Sequence, residues 1–196
     1  MSLDLIPSEI ADKFEVHEWR HAVAILSSDF PDEWNELLAM MKEFRIPLDW
    51  ISKPGGNKSA IADWVDDFLC VQRGWVEKKF DTSVKIDGNE YDSPTHKVDC
   101  FKNGVAVELE WNNKDPFFDR DLNNFRLLFD LRAVSVGVII TRCDELQDVF
   151  NRIGKGSSYG NSTTHMSKLL PRIEGGGGAG CPILVFGIRQ NCIQEG

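Results

Sequence analysis

The stretch Val98-Asp99-Cys100-Phe101-Lys102-Asn103-Gly104-Val105-Ala106-Val107-Glu108-Leu109-Glu110-Trp111 decides the fold, because it predicts a β-hairpin in the middle of the chain. The Asn103-Gly104 pair suits a tight turn, since both central positions of such a turn need a positive φ. Side chains alternate along a strand, so Glu108 and Glu110 share one face, and Asp99 lies on the partner strand. The hairpin is therefore expected to gather three carboxylates in one place.

This acidic cluster has two interpretations. Three like charges repel one another unless a cation is present, and three oxygen ligands suit a hard ion such as Mg²⁺. Antiparallel sheets also commonly keep one face in water, and two glutamates on such a face need no further explanation. The spacing of the acids alone leaves both interpretations open.

The spacing of the three acids resembles a catalytic signature. Asp99, eight intervening residues and then Glu108-x-Glu110 are similar to the motif of restriction endonucleases of the PD-(D/E)xK superfamily. Most of that superfamily has Lys at the last position, whereas the branch containing BglII, BstYI and BamHI has Glu or Gln there, as this chain does. The resemblance implies a type II restriction endonuclease that uses Mg²⁺ to hydrolyse DNA phosphodiesters at a short palindromic site.

The resemblance extends over most of the chain, and within that branch its order and spacing are closest to BstYI. The similar segments are 14–16, 30–37, 74–77, 136–138, 144–146, 156–159 and 182–188. The fold implied is a restriction-endonuclease-like α/β (α+β) fold, with a mixed central β-sheet and helices on both faces. A six-base target with GATC at its centre and a staggered 5′ cut is implied as well.

The resemblance also implies roles for individual residues. Asp99 and Glu108 would hold the metal ion, with the main-chain carbonyl of Leu109 as a further ligand. Glu110 would orient or deprotonate the attacking water, or bind a second ion. Glu77 is expected to be a further catalytic acid, because the corresponding helix in this branch supplies a polar or acidic group near the metal. Two lysines follow Glu77 directly, so a plain surface charge cluster is the alternative.

Candidate DNA-binding residues follow the hairpin and lie in a later basic run. A formal charge of -9 is unfavourable for DNA binding, because phosphate neutralisation usually dominates such affinity. Residues 112–196, however, hold 10 basic and 9 acidic residues, and the run 151–173 has no acid at all. The candidates are Asn112, Asn113, Lys114, Arg152, Lys155, Ser157, Ser158, Tyr159, Asn161 and Ser162. Ordinary turn chemistry is the alternative for each of them.

Apolar periodicity predicts helices and buried strands around the hairpin. The predicted helices are 31–44, 57–71 with Asn57 or Ser59 as its cap, 119–132, 144–153 and 164–173. The predicted buried strands are 133–141 and 182–188. This alternation favours a mixed sheet covered on both sides with the acidic strand at its centre. A chain of 196 residues fits a single domain, 1–196.

Composition restricts the compartment and the kind of metal chemistry. The five cysteines are Cys70, Cys100, Cys143, Cys181 and Cys192. Their number is odd and they lack CxxC spacing, so neither a disulfide framework nor a zinc knuckle is indicated. No apolar run reaches the length of a membrane span, and no signal-peptide pattern opens the chain. A soluble, cytoplasmic protein without membrane contact is expected.

A competing motif, His17-Glu18-Trp19-Arg20-His21, spells the HExxH signature of zinc peptidases. On a helix the two histidines would share a face and could hold Zn²⁺, with Glu18 as general base. Glu43 or His165 would have to supply a third ligand. Little sequence precedes the motif to build a substrate cleft, so a partly exposed helix face without metal is favoured. A zinc metallopeptidase and a catalytically silent DNA-binding protein are the alternative functions.

The expected partner is double-stranded DNA. A double-strand break needs two scissions, and one chain offers one acidic cluster, so a two-fold homodimer on a palindromic target is expected.

Overall fold

The structure is a computed structural model that describes residues 2–53, 58–92 and 95–194. The strands in these ranges are β1 (Phe14–Trp19), β2 (Ile46–Pro47), β3 (Val76–Lys78), β4 (Ser83–Ile86), β5 (Asn89–Asp92), β6 (Val98–Lys102), β7 (Val105–Glu110), β8 (Val136–Arg142), β9 (Ile183–Ile188) and β10 (Ile193–Gln194). The α-helices are α1 (Ser8–Ala11), α2 (Ala22–Asp29), α3 (Pro31–Glu43), α4 (Leu48–Ser52), α5 (Ala60–Asp66), α6 (Phe117–Asp130), α7 (Leu146–Arg152) and α8 (Met166–Glu174). A π-helical turn, Asp67–Val71, continues α5, and Ser2–Leu5 and Gln190–Cys192 are 3-10 helices.

The central sheet is mixed, as predicted. Its strand order is β1-β9-β8-β7-β6-β3, so β7 lies in its interior. Strands β7, β8 and β9 run parallel, whereas β1, β6 and β3 pair antiparallel with their neighbours. Strands β4 and β5 form a separate hairpin, and β10 pairs with β2. The predicted α/β fold with a central acidic strand is confirmed.

The predicted hairpin forms at 103–104. Strands β6 and β7 pair antiparallel, with Cys100 opposite Val107. Asn103 and Gly104 have φ values of 47° and 96°, the left-handed conformation that the turn needs. A Cβ at Gly104 would lie 3.3 Å from Ser135 Oγ, so glycine suits the site by both conformation and space.

Apolar clusters cover both faces of β7. Val107 and Leu109 pack into a cluster that includes side chains of α3 and α5, while Ala106 packs into a second cluster under α6 and α8. Because side chains alternate along the strand, Glu108 and Glu110 point to the same side as Ala106. Both glutamates therefore lie beneath α6 rather than in water.

The predicted helices form, with small shifts at their ends. The predictions 31–44, 119–132, 144–153 and 164–173 correspond to α3, α6, α7 and α8. Asn57, one of two caps predicted for the next helix, lies outside the described residues. Ser59 is the N-cap of α5, because its Oγ accepts the N–H of Ala62 at 3.1 Å.

The predicted helix at His17-Glu18-Trp19-Arg20-His21 is wrong. Its first three residues belong to β1, which pairs along its length with β9. Arg20 and His21 then adopt positive φ values of 54° and 59° before α2 begins. Pairing with a long buried strand overrides the local pattern here, so the two histidines do not occupy one helix face.

The HExxH side chains make ordinary local contacts. His17 Nε2 lies 2.7 Å from Glu15 Oε1, and the N–H of Val23 at the start of α2 donates to Glu18 Oε2 at 3.0 Å. Within the described ranges, no helix combines the length and the apolar character needed to cross a membrane.

Candidate active site

The β6–β7 hairpin brings the predicted acids together. The N–H of Leu109 donates to Asp99 Oδ2 at 3.0 Å, and the N–H of Asp99 donates to Glu108 Oε2 at 3.4 Å. Asp99 is half-buried, whereas Glu108 and Glu110 are only 0% and 1% exposed. The solvated-face interpretation is therefore wrong for both glutamates.

Helix α6 adds two charged residues that the sequence analysis missed. Arg120 Nη2 lies 3.3 Å from Glu110 Oε1 and 2.8 Å from Asp121 Oδ1. Asp121 is fully buried, and its carboxylate acts electrostatically on both glutamates of β7. Asn113 Nδ2 donates to Glu110 Oε2 at 2.8 Å and fixes the other oxygen of that carboxylate. The cluster thus contains four carboxylates and one guanidinium, that of Arg120, which pairs with Glu110 and Asp121.

Burial raises the pKa values of all four carboxyl groups. Burial raises the pKa of Glu108 well above its ordinary value, and the nearby charges of Asp121 and Asp99 raise it further. Burial and Asp121 raise the pKa of Glu110 to about 9. Burial also raises the pKa values of Asp99 and Asp121. Burial and the neighbouring acids disfavour the ionised form of each carboxyl group. A bound cation would stabilise the ionised cluster.

One buried oxygen supports a metal at this place. Glu108 Oε1 has no hydrogen-bond partner among the described residues, although its side chain is fully buried. Leaving such an acceptor unsatisfied costs free energy, so buried carboxylate oxygens normally bind a donor or a cation. Asp99 and Glu108 offer oxygen ligands side by side, the donor type that hard divalent ions prefer. The residues fit a hard divalent metal.

A cleft of about 710 Å³ opens next to Asp99. Its residues come from four parts of the chain: β6 through Asp99, the end of β7 with the residues that follow it, the loop before α8, and the segment from α4 to α5. Five of the predicted DNA-binding residues line it, namely Asn112, Asn113, Lys155, Ser158 and Tyr159. Lys53 and Lys58 line the cleft as well, although neither was predicted, and both pair with nearby aspartates. The cleft therefore joins an acidic site to basic and amide side chains.

The segment after β7 is held against the basic run. Lys114 and Thr163 form an antiparallel β-bridge, and Asn112 Nδ2 donates to the main-chain oxygen of Ser158 at 3.2 Å. The N–H of Asp115 donates to the main-chain oxygen of Ser162 at 3.1 Å. These contacts place two groups of predicted DNA-binding residues, distant in sequence, on one rim.

Tyr159 and the other predicted DNA-binding residues are more dispersed. The ring of Tyr159 is stacked on Phe150, with centroids 3.9 Å apart, and is 9% exposed, so it belongs mainly to the core. Asn161 lines a separate cavity of about 380 Å³ together with the buried Arg142 and His165. The remaining two, Arg152 and Ser157, are exposed at the end of α7 and in the loop that follows it.

Acids from other segments of the chain neutralise part of the positive charge of the basic run 151–173. Arg172 Nε pairs with Asp119 Oδ1 at 2.9 Å, and His165 Nδ1 lies 2.7 Å from Asp144 Oδ1. Both acids come from outside 151–173. The positive charge that faces the cleft from this run is that of Lys155.

Glu77 lies on strand β3, not on the helix expected from the resemblance. Its carboxylate is 60% exposed and pairs with Lys97 Nζ at 2.8 Å. The helix that does bring an acid to the cleft is α5, through Asp66. Asp66 pairs with Lys58, and its charge contributes to the raised pKa of Asp99. Asp66 lies 33 positions before Asp99 in the sequence, so no local pattern indicated that the two would lie close together.

The site is therefore an acidic hairpin of the mixed sheet. It lies at the edge of a cleft that is also lined by lysines. A family model for restriction endonuclease BglII/BglIII matches residues 14–188, which include the whole hairpin, α6 and the basic run. The chain belongs to this family. A BglII-type restriction endonuclease cleaves DNA at specific sites, so this protein is a DNA hydrolase, and the family implies use of a divalent metal. A search of curated protein sequences finds no match to this restriction endonuclease.

Proposed function

We propose that the protein is a Mg²⁺-dependent type II restriction endonuclease that cuts duplex DNA with the acids of its β6–β7 hairpin. The observation that carries this proposal is the unpartnered, fully buried Glu108 Oε1, whose carboxylate accepts the N–H of Asp99, a residue that lines the cleft. The family supplies the reaction class, and the acidic cluster supplies a place for it. The 1–196 chain would act as one domain.

In this proposal Asp99 and Glu108 hold the metal ion, and the main-chain carbonyl of Leu109 is available beside them. When bound, Mg²⁺ would activate a water and neutralise the negative charge that develops on the phosphate. Glu110 has the position where other members of the wider superfamily have Lys. Its pKa of about 9 means that it carries a proton at neutral pH until a nearby cation lowers that pKa.

Arg120 and Asn113 would then position Glu110 for the attacking water. Arg120 favours the ionised form of Glu110, because its guanidinium lies 3.3 Å from Oε1. Asn113 holds Oε2 in place at 2.8 Å. A carboxylate fixed at both oxygens can orient a water, and once ionised it can accept a proton from it.

The DNA would lie across the cleft that Lys53, Lys58 and Lys155 line. Lysines that contact phosphates supply affinity without sequence preference, whereas amides and hydroxyls read base edges. We therefore assign base contacts to the exposed polar side chains on the rim and in the loop next to it. These are Asn112, Asn113, Ser157, Ser158, Asn161 and Ser162.

The finer assignments rest on the resemblance to BstYI, BglII and BamHI. They are a homodimer, a palindromic site centred on GATC and a staggered 5′ cut. Glu77 has no role in this mechanism, because β3 places it in an exposed pair with Lys97. The zinc peptidase is not proposed, because HExxH does not form a helix.

Plasmid cleavage by the purified protein tests the proposal. We expect cleavage with Mg²⁺ and none with EDTA. Glu108→Gln should lower the cleavage rate by at least ~100-fold, since it removes charge from the position that stabilises the reaction. The matched control is Glu18→Gln, which keeps an acceptor for the N–H of Val23 and should retain full activity.

Cleavage by Glu108→Gln at the wild-type rate would contradict the site. Specific DNA binding without cleavage under any metal condition would instead favour the silent DNA-binding protein. Loss of activity in Glu18→Gln alone would revive a role for HExxH.

A further inference from the structure

A second cluster of possible metal ligands lies next to the acidic hairpin and has no part in the mechanism above. It consists of Asp66, Cys70 and Cys100, whose ligand atoms all lie within 4.8 Å of one another. Cys70 Sγ is 3.2 Å from Cys100 Sγ, and Cys100 Sγ is 3.8 Å from Asp66 Oδ1. Two sulfur atoms and one carboxylate oxygen thus converge on one point.

The local structure explains why these three side chains meet. Asp66 ends α5, and Cys70 lies four positions later in the π-helical turn that continues it. Residues four apart on a helix lie on the same side of it. Cys100 lies on β6, opposite Val107, and belongs to the same apolar cluster as the buried residues of α5. The helix and the strand therefore contribute ligands from two independent elements.

The donor set differs in kind from that of the acidic hairpin. Asp99 and Glu108 offer oxygen alone, which suits Mg²⁺. Thiolates prefer softer ions, and Zn²⁺ commonly takes three protein ligands of sulfur, nitrogen or oxygen and leaves a fourth position to water. Millimolar Mg²⁺ should therefore not compete well for two sulfur ligands.

The cluster can be reached from solvent. Cys100 is fully buried, but Cys70 is half-buried and the side chain of Asp66 is 37% exposed. Asp66 also lines the 710 Å³ cleft. Lys58 pairs with Asp66 Oδ2, whereas Oδ1 is the oxygen that lies next to Cys100 Sγ, so Oδ1 can bind an ion beside this ion pair.

We propose that Asp66, Cys70 and Cys100 bind a soft divalent cation, Zn²⁺ in the first instance, separately from the Mg²⁺ site. The ion would link the π-helical turn after α5 to β6, the strand that carries Asp99. Because a ligand that binds the folded state alone stabilises that state, Zn²⁺ would strengthen the attachment of α5 to the catalytic strand. This inference does not depend on the nuclease assignment.

Cadmium is a suitable probe, because a thiolate-cadmium bond gives a charge-transfer band in the ultraviolet. The full-length protein is titrated with Cd²⁺ in the presence of Mg²⁺ and a phosphine reductant. We expect the band to saturate at one ion per chain and the melting temperature to rise with Cd²⁺ or Zn²⁺. Cys70→Ser should lose the rise in melting temperature and most of the band.

Cys143→Ser is the matched control, because Cys143 is also buried and its Sγ lies 3.5 Å from Glu15 Oε2. It should behave as wild type, since one thiol beside a carboxylate is not the proposed site. Asp66→Asn keeps both thiols and the packing, so it guards against a misfolded cysteine variant. Its affinity for Cd²⁺ should fall at least ~10-fold, as expected when a group that supports a metal is lost.

Equal bands in wild type, Cys70→Ser and Asp66→Asn would overturn the proposal. A disulfide between Cys70 and Cys100 that persists in the reductant, seen as the loss of two hydrogen atoms in the intact mass, would overturn it as well. Binding that disappears in Cys143→Ser but not in Cys70→Ser would place the ion elsewhere.

Discussion

Glu110 shows how burial and charge determine the behaviour of a single side chain. It is 1% exposed, shares Arg120 with Asp121, and receives a hydrogen bond from Asn113. In most folded proteins a buried carboxylate would be paired fully or replaced by an apolar residue. In the proposed mechanism, a bound cation would relieve this unfavourable arrangement.

The raised pKa of Glu110 leads to a prediction about stability and pH. Its pKa rises from 4.5 in the unfolded chain to about 9 in the folded protein, so the folded state binds the proton more tightly. The contribution of Glu110 to the free energy of unfolding is therefore fully present below pH 4.5 and is lost as pH rises toward 9. In EDTA, we expect the free energy of unfolding to fall by up to ~1.4 kcal/mol per pH unit in this window from Glu110.

Urea unfolding at a series of pH values, in EDTA, measures this dependence. Glu110→Gln should reduce this dependence, because the amide does not titrate, while Glu108, Asp99 and Asp121 with their raised pKa values still contribute. Glu43→Gln, a change at the end of α3 and outside the cluster, should leave the dependence as in wild type. Parallel curves for wild type and Glu110→Gln would mean that Glu110 titrates in the folded protein as it does in the unfolded chain.

The loop before α8 allows a test of the DNA-binding rim. Lys155 lines the cleft, whereas Arg172 and His165 of the same run pair with acids from other segments. Lys155→Glu should weaken binding and reduce the slope of log affinity against log salt by about one, since fewer counterions are released. Fluorescence anisotropy in Ca²⁺ or EDTA at several salt concentrations would give the slope.

Lys85→Glu is the control for this experiment, because Lys85 lies on the exposed β4–β5 hairpin and makes the same change of net charge. A general electrostatic effect would alter both variants equally. Equal slopes for the two variants would therefore contradict the assignment of the rim to DNA.

Elements with strong local signals were predictable from the sequence. The Asn103-Gly104 turn needs only the conformational preferences of two residues, and the helices follow from the spacing of their apolar faces. His17-Glu18-Trp19-Arg20-His21 failed for the opposite reason. Its conformation is set by pairing of β1 with β9, more than 160 positions later, which no local pattern contains.

The acidic strand β7 was predictable, but its surroundings were not. Glu108 and Glu110 share a face by simple alternation, yet whether that face is wet depends on α6 packing over it. Asp121, Arg120 and Asp66 reach the site through tertiary packing, so sequence spacing gave no indication of them. At Glu77 the resemblance suggested a helix, whereas the chain forms the strand β3.

In the described part of the chain, the fold places the acidic cluster next to the 710 Å³ cleft. Both faces of β7 are covered, so Glu108 and Glu110 are buried, and the acid of the hairpin that lines the cleft is Asp99 of β6. Lys53, Lys58 and Lys155 line the same cleft. Such a molecule can present its site to one phosphodiester strand at a time.

Cutting both strands therefore predicts a two-fold dimer and a palindromic target. Two copies related by a two-fold axis place two identical sites on the two antiparallel DNA strands, and each copy reads the same half-site. Sequencing the ends from a genomic digest, with Glu108→Gln as the blank, tests this, and sedimentation of the protein gives its oligomeric state. We expect a palindrome with GATC at its centre and 5′ overhangs. Asymmetric target sites would contradict the dimer, whereas palindromes with another centre would keep the dimer and remove the GATC specificity, because loops that choose bases vary on a shared fold.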